Sequence, residues 1–442
     1  MAGNWKDMTK TLSGAYINIR SRGQLGVEFG GRTGILAVAF PLDFGKPIAR
    51  VTMEDLASDR SLGEIGLSLR DADSDVLRFI LQALKGTSTV LVYNTQTGGD
   101  KATGVVGGLN VTAKYEGLGG NNISVGVEAV DSGFRVTTYY NSISVDTQIV
   151  DNADALRDNA FVDFGAGESF ETATAKALTG GANGTVSVTN FLASVAPHKP
   201  SVVAIEKITQ EEIDKAKLEA DSGNLLRVIT MDTELSPDNR LISNFDTLNT
   251  VFYDDVGKDV TKDVFYFLAG QSAGAGRNRS LSYAEIPFIK STNKLATEQE
   301  LSEAIRKGHM VVHQKFSGAY VLERDINTLT TYDVENNYFF SDNRVMRTLI
   351  DIHDFVRITF ENNYIGKIQN NESGRNLLKS DIVKFVNGLV AEGNIEGFDG
   401  ANDVQVYKGN DLWSMKCDLA VKVTGTLEKL YMEILVSEQG AE

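Results

Sequence analysis

The stretch FSDNRVMRTLIDIHDFVRITFENNYIG, residues 340–366, has apolar side chains at helical spacing over several turns. Ser341 or Asp342 can cap its N-terminus, and Gly366 can end it. A second helix is predicted in SGRNLLKSDIVKFVNGLVAEG, and strands are predicted in DVQVYKG, DLWSMKCDLAVKVT and LEKLYMEILVS. The last quarter of the chain is therefore expected to be an α+β domain. Its final strand would lie at the edge of the sheet with unpaired backbone groups. Such an edge promotes aggregation unless another chain pairs with it.

Upstream, strand and helix patterns alternate. GILAVAFPLDFG (34–45) and TVLVYN (89–94) are apolar runs typical of buried strands. Between them, DADSDVLRFILQALKG places Val76 or Leu77, Ile80, Leu81 and Leu84 on one helical face. The same alternation returns after residue 186, with PSVVAIEK, EEIDKAKLEADSGN and LLRVITMD. This order predicts an α/β layer.

The segment from 98 to 185 differs in composition, because it is rich in glycine, threonine, valine and asparagine. Its short alternating runs are separated by turn signals, so we expect a β-rich module with a short helix near 152–161. Flanking α/β sequence suggests that the module is inserted into a host domain at a surface loop.

The fold class expected from these patterns is α/β and α+β multidomain, with an α/β core domain interrupted by a β-rich insertion domain. A C-terminal α+β domain follows. The predicted parts are an N-terminal arm (1–22), a discontinuous α/β domain (23–97 and 186–335), the insertion domain (98–185), the C-terminal domain (336–426) and a C-terminal arm (427–442).

Composition narrows the class of partner. The 442 residues carry a formal net charge of −16, which disfavours nucleic acid. No apolar run has the roughly 20 residues of a membrane helix, and the N-terminus lacks a signal-peptide pattern, so we expect a cytoplasmic product without membrane binding. Residues 1–50 contain seven basic and three acidic residues, whereas 391–442 contain ten acidic and four basic ones. This asymmetry could steer one subunit's N-terminus towards another's C-terminus, or it could be chance variation between solvated surfaces.

No sequence motif indicates catalysis. GQSAGAGRNRS (270–280) lacks the order of a phosphate-binding loop, so a mobile loop is expected, and GLGGNN (117–122) is expected to be a hairpin turn. His309 and His313 are four apart on a predicted strand, which separates them by about 13 Å. With His198 and His353 they are interpreted as structural, and the single Cys417 as a buried apolar side chain. We expect no catalytic residue, metal or cofactor.

The ends of the chain resemble those of contractile phage tail sheath proteins, including the sheaths of phage-tail-like bacteriocins. Ser13-Gly14-Ala15-Tyr16 resembles the entry to the first strand of that family, with Ser13 where proline is usual. The long helix with Asn343-Arg344-Val345 and Asp351-Ile352, the loop Tyr364-Ile365-Gly366-Lys367, the second helix and the closing strands resemble the sheath C-terminal domain. The resemblance implies a virion or tail-like particle component, assembled in the bacterial cytoplasm.

The same resemblance implies stacked hexameric rings around an inner tube, with terminal strands passed between subunits. The residues expected to be exchanged are Tyr16, Ile17, Asn18, Ile19, Arg20, Leu430, Tyr431, Met432, Glu433, Ile434, Leu435 and Val436. The residues expected to face the tube are Lys367, Arg375, Lys379 and Lys384, whose alternative role is that of ordinary solvated helix charges. The implied partners are other copies of the chain, the inner tube protein, and baseplate and tail terminator proteins.

Two other classes of protein remain open from sequence. A capsid or surface-layer protein would also self-assemble, into closed shells or flat lattices. A multidomain α/β enzyme would have a deep pocket with converging polar groups.

Overall fold

The computed structural model describes residues 2–3, 15–16, 34–57, 62–67, 74–165, 171–235, 237–334 and 336–434. Within these ranges the chain is a mixed α/β multidomain protein with several sheets, which confirms the fold class at this level. The described helices are α1 (Asp75–Leu84), α2 (Phe191–Val195), α3 (Gln210–Asp221), α4 (Thr261–Gly274), α5 (Glu298–Arg306), α6 (Asn343–Asn363) and α7 (Glu372–Ala391).

A seven-stranded sheet forms the centre of the α/β part. Its strands are parallel except for the edge strand Ile48–Thr52, which is antiparallel to Thr89–Asn94. In spatial order they are His309–Met310, Ile242–Phe245, Arg227–Thr230, Val202–Ile205, Ile35–Phe40, Thr89–Asn94 and Ile48–Thr52. Parallel strands need crossover connections, which the helices provide.

Side chains of the central sheet alternate between two apolar cores. Leu36 and Val38 belong to the core shared with α1 and α4, whereas Ala37 belongs to the core shared with α2 and α3. This period of two explains why the strand sequence is apolar throughout, because helices cover both faces.

Helices α1 and α4 approach each other closely. A Cβ on Gly270 would lie 2.1 Å from the Ala83 carbonyl oxygen, and one on Gly274 would lie 1.8 Å from the Gly86 carbonyl oxygen. Only glycine permits this backbone contact. As a result α4 is buried around its circumference from Asp263 to Ala273. In α1, Leu81 is exposed and Phe79 is buried, so the predicted face is shifted.

The segment between the strands Thr89–Asn94 and Val202–Ile205 is β-rich. It contains one sheet of Ile143–Val150, Gly133–Tyr140, Ile123–Val130 and Ala173–Ala177, and another of Val162–Gly165, Leu109–Ala113 and Thr103–Val106. Gln96–Thr97 pairs with Thr185–Val186 where the chain enters and leaves the segment. An apolar cluster fills the segment, and Phe44 of the α/β part also belongs to it. The domain boundaries proposed from sequence stay a prediction.

Two short local elements in this segment differ from expectation. Leu118–Asn122 is a 3₁₀ turn instead of a hairpin turn, and Ala153–Ala155 is a single 3₁₀ turn instead of a helix over 152–161. In the second case Asn152 caps Ala155, but Leu156 is already extended. Asn and Asp side chains favour such local turns over helix interiors.

The C-terminal part packs α6 and α7 together. Asp342 caps α6 by accepting hydrogen bonds from the backbone of Arg344 and Val345, as the sequence predicts. Phe355 on α6 stacks on Phe385 of α7 with ring centroids 3.6 Å apart. A hairpin of Val404–Lys408 and Met415–Leu419, here called the C-terminal hairpin, packs one face on this helical pair. The remaining described strands form pairs: Ala2–Gly3 with Ala15–Tyr16, Phe252–Tyr253 with Ser291–Thr292, and Val312–Gln314 with Tyr320–Leu322.

Candidate self-assembly interface

The chain leaves the C-terminal domain at Thr424. Its amide lies 3.0 Å from the Asn394 carbonyl oxygen, and its hydroxyl donates to the Gly393 carbonyl oxygen at 2.7 Å. The buried Arg344 donates to the Thr424 carbonyl oxygen and to Asn394 Oδ1. Thr424 is therefore a fixed point from which the C-terminal arm begins.

Four residues later, Glu428 attaches the arm to the α/β part. Its carboxylate accepts from Ser282 Oγ at 2.8 Å and from Arg324 Nε at 3.0 Å. Arg324 and Glu428 are both partly covered, so this charge-assisted contact is shielded more than a fully exposed pair. We call the contact of Glu428 with Ser282 and Arg324 the arm clasp.

Beyond the arm clasp, the described residues up to 434 expose apolar side chains and form no helix or strand. Leu430, Tyr431, Met432 and Ile434 are each more than two-thirds exposed. The sequence predicts a strand over 427–437, but the described residues 427–434 form none. For the single chain this prediction is therefore wrong at those residues. A strand needs a partner to satisfy its backbone groups, and the residues that the structure describes present none here. Leu435 and Val436 lie outside the described residues.

The C-terminal hairpin has two strands, and in the described part of the chain no third strand pairs with either. Val406, Met415 and Cys417 face the core of the C-terminal domain, while Tyr407 points towards solvent. Burial raises the pKa of the Cys417 thiol to about 12, so it stays a neutral thiol. A two-stranded hairpin with free edges can accept added strands.

The N-terminal candidates are only partly described. Tyr16 belongs to the short strand Ala15–Tyr16, which runs parallel to Ala2–Gly3. Ile17, Asn18, Ile19 and Arg20 lie outside the described residues. Their exchange stays a prediction.

The four candidate tube-facing cations are not on one surface of the helix. Arg375 and Lys379 are four apart on α7, and both contact nearby loops: Arg375 Nη1 lies 3.0 Å from Asn370 Oδ1, and Lys379 Nζ lies 2.9 Å from the Ala401 carbonyl oxygen. Lys384 is nine residues after Arg375, which places it on the opposite side of the helix. Lys367 precedes α7 and donates to the Asn362 carbonyl oxygen.

The sequence interpretation missed a buried ionic contact between the α/β part and the C-terminal part. Arg277, expected in a mobile loop, is buried, with Nη1 3.0 Å from Asp351 Oδ2 of α6 and Nε 2.9 Å from Glu392 Oε2. The expectation of a mobile loop over 270–280 is therefore wrong at this residue. Arg347 of α6 pairs with the buried Asp325 at 2.8 Å. Because these partners are 22 to 115 residues apart in sequence, no local motif reveals them.

The described histidines with buried or half-buried rings each contact a carboxylate. His309 Nδ1 lies 3.0 Å from Asp246 Oδ2 beside a cavity of about 670 Å³. His313 and His353 contact Glu323 and Asp354. Within the described ranges, no group of three or more His, Cys, Asp and Glu residues is arranged to hold a metal ion. None of the helices described here is long and apolar enough to cross a membrane.

Comparison with known proteins shows what this chain is similar to. Residues 335–437 match the phage tail sheath C-terminal domain. The whole chain is 27% identical to the phage-like element PBSX protein XkdK of Bacillus subtilis (strain 168), over 97% of this chain and 98% of that protein. The resemblance to tail sheath proteins inferred from sequence is confirmed.

Solved structures show the same fold. The sheath tail protein Lin1278 of Listeria innocua matches with a TM-score of 0.79 and 23% identity, over 91% of this chain and 95% of that chain. The helical sheath of the anti-feeding prophage, in its contracted state, matches with a TM-score of 0.56 and 10% identity, over 97% of this chain and 100% of that chain.

Proposed function

We propose that this chain, which carries a phage tail sheath C-terminal domain at residues 335–437, is the structural subunit of a contractile tail sheath. It polymerises as stacked hexameric rings around an inner tube, and contraction drives the tube through a target cell envelope. The observation that carries the proposal is the exposed apolar arm beyond Glu428, together with the edges of the C-terminal hairpin, with which no strand of the described ranges pairs.

Strand addition explains how these two features serve assembly. The arm of one subunit adds a strand to the C-terminal hairpin of a neighbour, and the N-terminal arm of another subunit adds to the same sheet. Backbone hydrogen bonds supply most of the attraction, so the link makes few demands on side chains. Leu430, Met432 and Ile434 would then share one face of the added strand, because side chains alternate.

Such links suit a contracting polymer. Lys429, beyond the arm clasp at Glu428, connects the exchanged strand to the folded domains, so the domains can rotate while the added strand stays paired. Contacts that do not close into a small ring generate helices. The free energy for contraction is stored at assembly in a metastable extended form, and no nucleotide is hydrolysed at the moment of action. The likeness in fold to a helical sheath solved in its contracted state supports contraction as the motion.

The remaining partners follow from the same role. The subunit contacts copies of itself, the inner tube protein, and baseplate and terminator proteins at the two ends of the tail. Lys367, Arg375, Lys379 and Lys384 stay proposed tube contacts, but Lys384 lies on the side of α7 opposite Arg375, so one flat surface of the tube cannot contact both. The protein has no catalytic role. It is assembled in the bacterial cytoplasm and becomes part of a virion or tail-like particle.

A proline scan of the arm tests strand addition. Met432 is exposed in the single chain, so Met432→Pro and Met432→Ala should fold equally well. Proline removes a backbone donor and blocks strand pairing, whereas alanine keeps it. We expect Met432→Ala to form hollow tubes in negative-stain micrographs and Met432→Pro to stay unassembled. Equal tube formation by both variants would contradict strand addition at this position, and closed shells or flat lattices would contradict the sheath role.

A further inference from the structure

The C-terminal hairpin has a register that determines which of its backbone groups point away from it. At the turn, the Gly409 amide donates to the Ser414 carbonyl oxygen. At the opposite end, the Ala420 amide donates to the Asp403 carbonyl oxygen. Hydrogen-bonded and non-hydrogen-bonded pairs alternate along an antiparallel ladder, so the first, third and fifth residues of Met415–Leu419 direct their amides and carbonyls outward.

This outward edge is open in the part of the chain that the structure describes. No strand of the described ranges pairs with it. The arm of the same chain does not pair with it, since Glu428 is held by Arg324 in the arm clasp and residues 430–434 are exposed and form no strand. An open edge offers its amides and carbonyls to a strand of another chain. The arm of a second copy can therefore occupy it.

The side chains of the arm match the two faces of the strand Met415–Leu419. The first, third and fifth side chains of this strand pack on the core of the C-terminal domain. The arm has an apolar side chain at every second position from Leu430 to Ile434. Residues that lie opposite each other in neighbouring strands point to the same face, so these apolar side chains extend the core-facing row. The alternative parity would expose them and turn Glu433 towards the core.

Charges on the outward face distinguish the two possible directions of the arm. Lys416 and Asp418 lie on this face, and their side chains contact each other at 2.7 Å. An antiparallel arm whose residues 430–434 overlap the whole strand places Glu433 opposite Lys416, whose ammonium group has three donors. A parallel arm with the same overlap places Glu433 opposite Asp418. Like charges directly opposite each other destabilise strand pairing, so the antiparallel direction is favoured.

The other edge of the C-terminal hairpin does not distinguish the directions. The outward side chains of the strand Val404–Lys408 are Gln405 and Tyr407, and neither is charged. Glu433 would lie beside one of them in a parallel arm and beside the other in an antiparallel arm. Charge complementarity therefore favours the edge of Met415–Leu419.

We infer, on the premise of the proposed function, that the C-terminal arm of a second copy adds antiparallel to the strand Met415–Leu419. Met432 lies opposite Cys417, and the two exchange backbone hydrogen bonds. Glu433 lies opposite Lys416, whose own backbone groups point into the hairpin. This second pair is therefore a non-hydrogen-bonded pair, in which the Cα atoms are about 4.5 Å apart and the side chains are closest.

Disulfide cross-linking of the assembled full chain tests this arrangement. Glu433→Cys combined with Lys416→Cys places two thiols at a Cα separation of about 4.5 Å, within the range of about 4.4–6.8 Å that a disulfide spans. We expect mild oxidation of the tubes to give a ladder of linked copies on a non-reducing gel. The native Cys417 can stay, because burial raises the pKa of its thiol to about 12. Each single variant should give no ladder.

Three matched pairs report the alternatives. Glu433→Cys with Asp418→Cys tests a parallel arm on the same edge, and Glu433→Cys with Gln405→Cys or with Tyr407→Cys tests the other edge. A ladder from one of these three pairs in place of the Lys416 pair, or from no pair, in tubes that form normally would overturn the inferred arrangement and leave the proposed function intact. A wild-type chain that forms no tubes would contradict the proposed function and the inferred arrangement together.

Charge reversal provides a measurement that needs no cysteine. In the antiparallel arrangement Glu433→Lys places a cation opposite Lys416, so the protein concentration needed for tube formation at low ionic strength should rise roughly twofold to fivefold. Adding Lys416→Glu to this variant should bring the concentration back towards the wild-type value. In a parallel arrangement Glu433→Lys would instead face Asp418. A lower required concentration in this single variant would therefore overturn the antiparallel direction.

Discussion

Arg324 Nε lies 3.0 Å from Glu428 Oε2, so the C-terminal arm is clasped to the body of its own chain before its apolar part begins. The pair joins residues 104 positions apart in sequence. It sets the point at which the arm becomes free to reach another subunit.

The first prediction concerns this clasp. Glu428→Ala removes the acceptor for Arg324 and Ser282, so we expect the arm to detach up to Thr424. Trypsin should then cleave after Lys429 several times faster than in the wild type, while the free energy of unfolding changes by less than about 1 kcal/mol. Limited proteolysis followed by mass spectrometry measures the rate. Glu433→Ala, beyond the arm clasp, is the control and should leave the cleavage rate unchanged.

The second prediction concerns the aromatic pair between α6 and α7. Phe385 is buried and stacks on Phe355, so Phe385→Ala loses buried area, stacking and packing at once. We expect a loss of about 3–5 kcal/mol in the free energy of unfolding, measured by urea denaturation. Leu377→Ala, on an exposed part of the same helix, should cost less than about 0.5 kcal/mol. Equal losses would show that the helical pair is not the core of this domain.

The third prediction concerns the N-terminal cap of α5. Thr297 Oγ1 accepts from the Glu300 amide, and the Glu300 carboxylate accepts from the Thr297 amide at 2.8 Å. These contacts form a capping box, and Thr297→Ala should cost about 1 kcal/mol by urea denaturation. Thr297→Ser keeps the hydroxyl and should cost clearly less. If the two substitutions have the same effect, the hydroxyl is not the stabilising group.

Sequence patterns predict elements whose determinants are local. The strand Thr89–Asn94 and the cap of α6 at Asp342 are both found at the expected residues, because an apolar run or a capping side chain suffices to specify them. The burial of α4 is not local, since it depends on the contact of Gly270 with α1. Gly270 and Gly274 permit this contact, and both lie in the segment 270–280 for which the sequence predicts a mobile loop.

The candidate sites divide in the same way. The apolar pattern of residues 430–434 is typical of a strand, so this exposed segment can be recognised from sequence. The strand with which it pairs cannot be recognised in this way. The buried ion pairs of Arg277 with Asp351 and of Arg347 with Asp325 could not be found, because their partners lie on separate elements and are distant in sequence. Only the fold brings them together.

The last prediction concerns the pH dependence of stability at Asp351. Burial, partly offset by the hydrogen bond from Arg277, raises the pKa of Asp351 to about 6, above its ordinary value of 3.8. The folded chain then binds more protons than the unfolded chain between about pH 4 and pH 6, so the contribution of this group to stability falls as the pH rises through that range. A shift of about two pKa units corresponds to roughly 3 kcal/mol.

Asp351→Asn cannot ionise and should escape this penalty. The difference in free energy of unfolding between the variant and the wild type should therefore increase from pH 4 to pH 7, by up to roughly 3 kcal/mol in favour of the variant. Urea denaturation at a series of pH values measures the difference. The pKa values of Asp325 and Asp246 are lowered in the folded chain. Both residues are present in the wild type and in the variant, so their contributions to the pH dependence cancel in this difference. A difference that stays constant over this range would show that Asp351 titrates as an ordinary carboxyl group, and a decrease would reverse the assigned direction.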